Sequence, residues 1–440
     1  MTFKPATALF CTLTAITLAL SLGASPLRAA PDDPASVEDE TAAFDASALW
    51  DEVRADFDLF YAYRDRRGFD ADAYLNRVGA YVTAADKQAE FRRRLNRATY
   101  AFTDPHLGFG PSDDQDFNVI PTASDLQIGY EAGRYVVLDV RAGSAAMAAG
   151  VRPGWMFTHA GDEPVDDATR KVFDPLIDNP SDAQRAYAAT LLANGRRTGD
   201  RALGFKTADG EAIDLVLANP RNFAWVVTTQ PHIETRWIVQ DDGTDIAVLR
   251  INNRLGDNDL IIGFDAAMRA VLDADGLILD LRNTPSGGNT EVGRSIIGHF
   301  VEAPTPYQMH ERPSLEREFG VPRRYVEYVL PRRPAFDPKR TVVIGGYWTG
   351  SMGEGIIVGM DAAGVQTIAS DMGDLLGNKS DFTFAGGAIT HSIPTETLFH
   401  VDGTPREDFV ADIALAAADS DERGSDPAIR AALDYLSADN

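Results

Sequence analysis

The chain has 440 residues, 44% hydrophobic and 24% charged, which is enough material for two or three domains with their own cores. Its formal net charge of −25 argues against nucleic acid and anionic membranes as partners, since both would be repelled. The same charge fits an exported protein or one from a salty habitat.

Residues 1–30 read as a secretory signal peptide: Lys4 supplies the leading charge, residues 6–23 are apolar, and small residues follow at Ala24, Ala29 and Ala30. A retained N-terminal anchor is the alternative, because the apolar run is nearly long enough to span a bilayer. The expected location is therefore periplasmic or extracellular. The single cysteine, Cys11, falls inside this segment, so the mature chain is expected to have no disulfide and no cysteine-based metal site. Residues 31–44 are acidic and rich in Pro and Ala, and read as a disordered lead-in.

Residues 45–116 read as a helical N-terminal domain. Leu49, Trp50, Val53, Phe57, Phe60 and Tyr61 recur at three-and-four spacing, as do Tyr74, Val78, Tyr81 and Val82, and a further face begins at Phe91 and Leu95. Pro105 disfavours helix at Asp104, so the chain is expected to turn there, immediately before His106. The sequence has seven histidines, at 106, 159, 232, 299, 310, 391 and 400, which makes the search for a general base short.

Residues 117–220 form a second module. Tyr135 to Val140 is a strand, Gly143-Ser144 starts a short helix, and Met156 to Thr158 is a strand leading to a hairpin tip at Gly161-Asp162. A strand-turn-strand follows over 201–218, with Asp209-Gly210 at its turn. This order, with "GSAAMAAGVRPG" between strands, resembles a PDZ domain, a small β-barrel. Such domains take an extended peptide along a strand edge; a spacer or lid without a ligand is the other reading.

Residues 221–440 read as α/β. Strands are expected at 246–251, 276–281, 341–344 and 365–369, with helices at 257–272, 291–300 and after Ser351. This alternation argues a mostly parallel sheet with helices on both faces, whose sites lie beyond the C-terminal strand ends. The loop 283–289 and the turn at Ser351 leave from those ends and should be neighbours. In TVVIGGYWTGSMGEGII, a buried strand runs into a Gly-flanked serine and a helix start, a place that displays a hydroxyl beside unpartnered backbone N–H groups. Taken alone, the same residues also suit an ordinary strand-to-helix turn with a capping serine.

With these stretches in view, the α/β multidomain chain resembles the serine peptidase family of C-terminal-processing (tail-specific) proteases and the tricorn protease core. "GLILDLRNTPSGG" is similar to the family's strand and Gly loop, "TGSMGEGI" to its nucleophile motif, "LNRATYAFTDPHLGF" to the segment carrying the base, and "DGTPREDFVADI" to a C-terminal acidic segment. The resemblance covers nearly the whole mature chain and implies a helical N-terminal part, a PDZ-like insert and a crotonase/ClpP-like catalytic domain. It further implies Ser351 as nucleophile, His106 as base and Glu407 as the acid orienting that base. The oxyanion donors would be the N–H groups of Gly287 or Gly288 and of Met352, with Asn289, Gly350 and His391 as candidate substrate contacts.

Two departures stand out. The Ser–Lys branch of the family has lysine in a Phe-Gly-Lys-Gly context, whereas the matching stretch here is SDMGDLLGNKSDF with Lys379, and Pro105 stands where the tricorn branch has a serine.

The implied chemistry is coherent. A serine hydroxyl needs a base within hydrogen-bond reach, histidine titrates in the right range, and each oxyanion donor is typically worth about 3 kcal/mol. Glu354, in the first turn after Ser351, favours the helix N-terminus electrostatically, and Asp280 with Arg282 reads as a structural pair. The carboxylates are scattered, with no His-Glu-x-x-His motif and no Asp-rich calcium loop, so neither metal nor cofactor is expected. The expected partner is a peptide or protein substrate. The alternatives are a Ser–Lys dyad using Lys379, a non-catalytic peptide- or ligand-binding protein on the same scaffold, and an esterase or amidase using the same residues. Oligomeric state is not legible.

Overall fold

The computed structural model describes residues 44–65 and 69–438. The expectations for the signal segment, Cys11 and nearly all of the acidic lead-in lie outside them. Among the described residues no helix is long and apolar enough to cross a membrane.

The sheet that carries the Ser351 turn is built from strands Ile413–Ala414, Gln366–Ala369, Thr341–Gly345, Gly276–Asp280, Asp245–Ile251 and Ile233–Val239, in that spatial order. Every pairing is parallel except the last, where Ile233–Val239 runs antiparallel along Asp245–Ile251. The two central strands, GLILD and TVVIG, are buried at every position, as parallel strands covered on both faces must be. Alternation divides their side chains between two cores. Ala247, Leu249, Leu277, Leu279 and Val343 pack with Phe264, Ile296 and Ile356 from the helices Asp259–Ala270, Thr290–Ile297 and Met352–Ala362. Ile246, Val248, Ile278, Val342 and Ile344 face the C-terminal helix Pro427–Ala438 through Ala428, Ala432 and Leu436. The expected α/β alternation is present, with the ends of the helices Asp259–Ala270 and Thr290–Ile297 one to three residues from where the periodicity puts them.

The N-terminal part is helical: Ala46–Phe60, Ala71–Thr83 and Gln88–Thr99. Asp45 caps the first through the amides of Ser47 and Ala48, and Asp70 caps the second through Ala73. Their apolar faces share a core with Leu376, Phe384 and Ile393 from far along the chain. Leu376 precedes a second sheet, in which Gly108–Gly110, Ile389–Phe399, Thr305–Glu311 and Arg324–Val329 are neighbours and Asn378–Phe384 also pairs with Ile389–Phe399. Residues 301–340 gave no sequence signal of these strands.

The third sheet holds Leu126–Glu131, Arg134–Val140, Met156–Ala160, Arg201–Lys206 and Ala212–Leu217. Ala132 and Gly133, both at positive φ, make the tight turn of its first hairpin. Helices Val165–Phe173 and Asp182–Asn194 were not legible in the sequence. The sheet is bound to the rest of the chain by buried polar contacts. Asp139 accepts from the amides of Ala418, Asp419 and Ser420, and Arg141 donates to Asn283 Oδ1 at 2.9 Å. Trp348 Nε1 donates to the carbonyl of Ser124 at 3.0 Å.

Candidate active site

The parallel register brings the two site loops together. Leu277 to Asp280 pair with Thr341 to Ile344, so both chains leave the sheet at the same end. Beyond the sheet, the Thr284 amide donates to Trp348 O at 3.1 Å and the Gly350 amide donates to Thr284 O at 3.1 Å. The neighbourhood expected between loop 283–289 and Ser351 is therefore present in the backbone itself.

Ser351 occupies φ 53°, ψ −111°, a strained backbone for a residue with a side chain. This sharp turn precedes the helix Met352–Ala362. Glu354 stabilises it: its buried carboxylate accepts the Ser351 N–H at 2.5 Å and lies 3.7 Å from the guanidinium of Arg406. Burial pushes the Glu354 carboxyl up to about 7, with Arg406 opposing. Glu354 is thus a buried brace of the serine turn rather than only a helix-end charge.

Gly287 lies against the serine. A Cβ added there would stand 2.2 Å from Ser351 Cβ, 2.7 Å from its Oγ and 2.8 Å from the amide nitrogen of Met352, at φ +64°. Only glycine permits this approach. The Gly287 amide is already donated to Thr284 O at 3.2 Å, closing the turn. Among the described residues, the amides of Gly288 and Met352 have no hydrogen-bond partner. Of the two expected glycine donors, Gly288 is the one with an uncommitted N–H, and Gly287 supplies the close approach.

His106 comes from a different part of the chain. The helix Gln88–Thr99 continues as a 3-10 turn, Tyr100–Phe102, and stops at Thr103 in a left-handed conformation (φ 51°), after which Asp104-Pro105 reverses the chain. Asp104 is fully enclosed and accepts from the His106 amide at 3.0 Å and from Tyr61 Oη at 3.1 Å. Burial pushes its carboxyl up to about 8. The imidazole is buried, and its Nδ1 is 2.8 Å from the carbonyl of Leu376. A carbonyl can only accept, so Nδ1 carries the hydrogen and Nε2 keeps its lone pair. Burial depresses the His106 pKa to about 3, against a raising contribution from the Leu376 carbonyl. No hydrogen bond joins His106 to Ser351.

The expected partner of the imidazole was Glu407, and here the geometry differs. Glu407 lies in the 3-10 turn Arg406–Asp408 and makes no hydrogen bond to His106; the Leu376 carbonyl takes Nδ1 instead. A backbone carbonyl three residues from a buried glycine turn carries no side-chain signature, so sequence could not reveal it.

The remaining candidates are placed as follows. Lys379 sits on the strand Asn378–Phe384 with its ammonium on Asp381 at 2.8 and 3.0 Å, 41% exposed. Asn289 caps the helix Thr290–Ile297 through the Val292 amide, so its side chain is committed locally. Gly350 is buried and shaped by the carbonyl of Pro285, 2.7 Å from a would-be Cβ. His391 is fully buried in the second sheet, opposite Phe109 and stacked on it at 4.2 Å. None of Asn289, Gly350 and His391 lines the cleft beside His106. Asp280 and Arg282 form the expected structural pair, extended to Asp426.

A cleft of about 330 Å³ opens beside His106 and Ser286. Its walls include Phe109, Phe117, Ile120, Tyr187, Leu191 and Leu375. Among the described residues no group of three or more His, Cys, Asp or Glu is placed to hold a metal ion. In the small sheet, the free edge of Leu126–Glu131 is largely occupied. Asn194 accepts from the Leu126 amide and donates to its carbonyl, and the Thr190 hydroxyl bonds both the amide and the carbonyl of Ile128.

These elements together make a mixed α/β, several-sheet fold with a Gly loop and a serine turn at the strand ends, the fold of C-terminal processing proteases. The chain is similar in structure to mature CPAF in complex with lactacystin (TM-score 0.58, 11% identity, 90% of this chain and 97% of that one). It is also similar to the photosystem II D1 C-terminal processing protease (TM-score 0.52, 13% identity, 84% and 93%). A protein from Parabacteroides merdae matches likewise (TM-score 0.52, 14% identity, 90% and 98%). No protein-family model and no curated protein matches the chain.

Proposed function

We propose that this protein is an exported serine peptidase. The observation that carries the reading is the contact of Gly287 with Ser351 and the Met352 amide, which builds an oxyanion site around a strained serine. Ser351 Oγ attacks a peptide carbonyl carbon while Nε2 of His106 takes the hydroxyl proton. The resulting oxyanion is held by the N–H groups of Met352 and Gly288. His106 then gives the proton to the leaving amine as the C–N bond breaks. Water, deprotonated by the same nitrogen, releases the acid from the Ser351 ester. The Leu376 carbonyl fixes the tautomer and stabilises the imidazolium, the part usually taken by a carboxylate. Catalytic hydrogen bonds in ligand-free enzymes are commonly long and tighten with substrate, which accommodates the missing Ser351–His106 bond.

The substrate is a peptide lying in the cleft beside His106, with its apolar wall taking apolar side chains. We read residues 117–220 as a PDZ-like module whose strand edge is closed by Thr190 and Asn194, so that peptide binding falls to the cleft. The apolar segment at 6–23 and the acidic composition support export.

The test is mass spectrometry of the mature chain after a fluorophosphonate probe. Labelling at Ser351 that is lost in Ser351→Ala and His106→Ala but kept in Lys379→Ala supports the reading. Labelling that survives His106→Ala and fails in Lys379→Ala moves the mechanism to a Ser–Lys pair. An unlabelled, folded wild type favours a binding protein on this scaffold.

A further inference from the structure

One buried guanidinium joins the serine turn to the segment that anchors the histidine. Arg406 is 5% exposed, at the start of the 3-10 turn Arg406–Asp408. Its Nη1 donates to the carbonyl of Ser351 at 3.3 Å. Its Nη2 donates to the carbonyls of Leu375 and of Gly377, the latter at 3.3 Å, and lies 3.7 Å from Glu354 Oε2. Between Leu375 and Gly377 stands Leu376, whose carbonyl receives Nδ1 of His106.

We infer that Arg406 is the positioning residue of this site, holding the nucleophile turn and the carbonyl that orients the base in one fixed relation. The inference rests on reading Ser351 as nucleophile and His106 as base. The chemistry fits the residue type. Three carbonyls and a carboxylate converge on one point, and only a planar group with several fixed donors can serve them together; an ammonium presents a compact point charge without that spread. The carbonyls on either side of Leu376 are pinned, so its own carbonyl cannot turn away from the imidazole without breaking a bond to Arg406. Gly377, at φ +61°, lets the chain pass within 2.1 Å of the Glu396 carbonyl measured from a would-be Cβ, which fixes the far side of the same segment. The C-terminal motif expected to orient His106 through Glu407 thus does so through its neighbour, Arg406, and by way of the backbone. Arg406 touches no reacting atom, so its effect is on geometry.

The experiment compares wild type, Arg406→Ala and Arg406→Lys in the full mature chain by two readouts. These are the rate of fluorophosphonate labelling at Ser351 and amide hydrogen exchange of residues 374–379 against the strands Gly276–Asp280 and Thr341–Gly345. A displacement of the base of this kind costs about 10²-fold in rate, and that loss is expected in both variants. Exchange should rise only in residues 374–379, and millimolar guanidinium should restore labelling to Arg406→Ala and leave Arg406→Lys unchanged. Wild-type labelling rates in Arg406→Ala overturn the inference. So does a loss accompanied by exchange throughout the two central strands and no guanidinium rescue, which marks a purely structural arginine. If wild type itself is not labelled, the peptidase reading fails. Exchange then still decides the anchor: unchanged protection at 374–379 in Arg406→Ala overturns it.

Discussion

His106 gives its Nδ1 hydrogen to the carbonyl of Leu376, 270 residues further along the chain and 2.8 Å away. This single contact fixes the tautomer, leaves the lone pair on Nε2 and ties the helical N-terminal part to the segment before the strand Asn378–Phe384. On the mechanism we propose it sets a neutral group against Nδ1, and several consequences are measurable.

The pH profile of kcat/KM should carry no contribution from His106 near its usual range. Burial holds the imidazole neutral until about pH 3, so the free base is present throughout the working range. The titrating group is Glu354, raised to about 7. Above that pH its carboxylate makes a charge-assisted bond to the Ser351 amide and attracts Arg406, so activity should rise through pH 7. Glu354→Gln keeps an acceptor for the amide and should erase this inflection. An inflection near pH 7 that persists in Glu354→Gln would return the assignment to His106.

Gly287→Ala should abolish turnover while Gly133→Ala leaves it intact. The first puts a methyl 2.2 Å from Ser351 Cβ and 2.8 Å from the Met352 nitrogen; the second, also at positive φ, meets nothing within 4 Å. Displacing one oxyanion donor costs about 10²–10³-fold in kcat, and Gly287→Ala should lose at least that much in a peptide-cleavage assay. The Gly133 variant measures the backbone penalty alone, about 1 kcal/mol in denaturant unfolding.

Ser351→Gly should be more stable than Ser351→Ala. Both lack the hydroxyl, so the difference isolates the strain of φ 53° at a residue with a Cβ, on the order of 1 kcal/mol in favour of glycine. Equal denaturation midpoints would mean that the turn relaxes once the hydroxyl is gone.

Asp104 sets a stability dependence of known sign. Its folded pKa, about 8, stands above the unfolded value of 3.8, so the folded state holds a proton that the unfolded state has lost. Its contribution is therefore complete below pH 3.8 and is lost as pH rises through 8. Asp104→Asn mimics the protonated form and should gain on wild type steadily across that window, with the difference levelling off above it. Urea unfolding at a series of pH values reads this directly, and a constant offset would mean that the carboxyl is ionised in the native state.

Local chemistry makes much of this protein legible in its sequence. The alternation of buried strands with three-and-four-spaced helices gave the α/β sheet, because side-chain direction repeats every two residues in a strand and every 3.6 in a helix. Pro105 after a helical run gave the turn that presents His106, and TGSMGEG gave the serine turn, because each depends on neighbours in the chain. Residues 301–340 and 165–200 were silent, since their strands and helices are selected by partners elsewhere in the sequence.

What the sequence determined by itself, then, was which side chains stand at the ends of which elements: Ser351, the Gly287-Gly288 loop and His106. The tertiary structure alone decided how they are held. The carbonyl facing Nδ1 of His106 is that of Leu376, the loop amide we propose for the oxyanion is that of Gly288, and the side chain bonded to both the Ser351 carbonyl and the segment around Leu376 is Arg406. A backbone carbonyl or amide is the same chemical group at every position, and only its direction in space makes one of them functional. Sequence records identity and spacing; direction arises when distant segments pack.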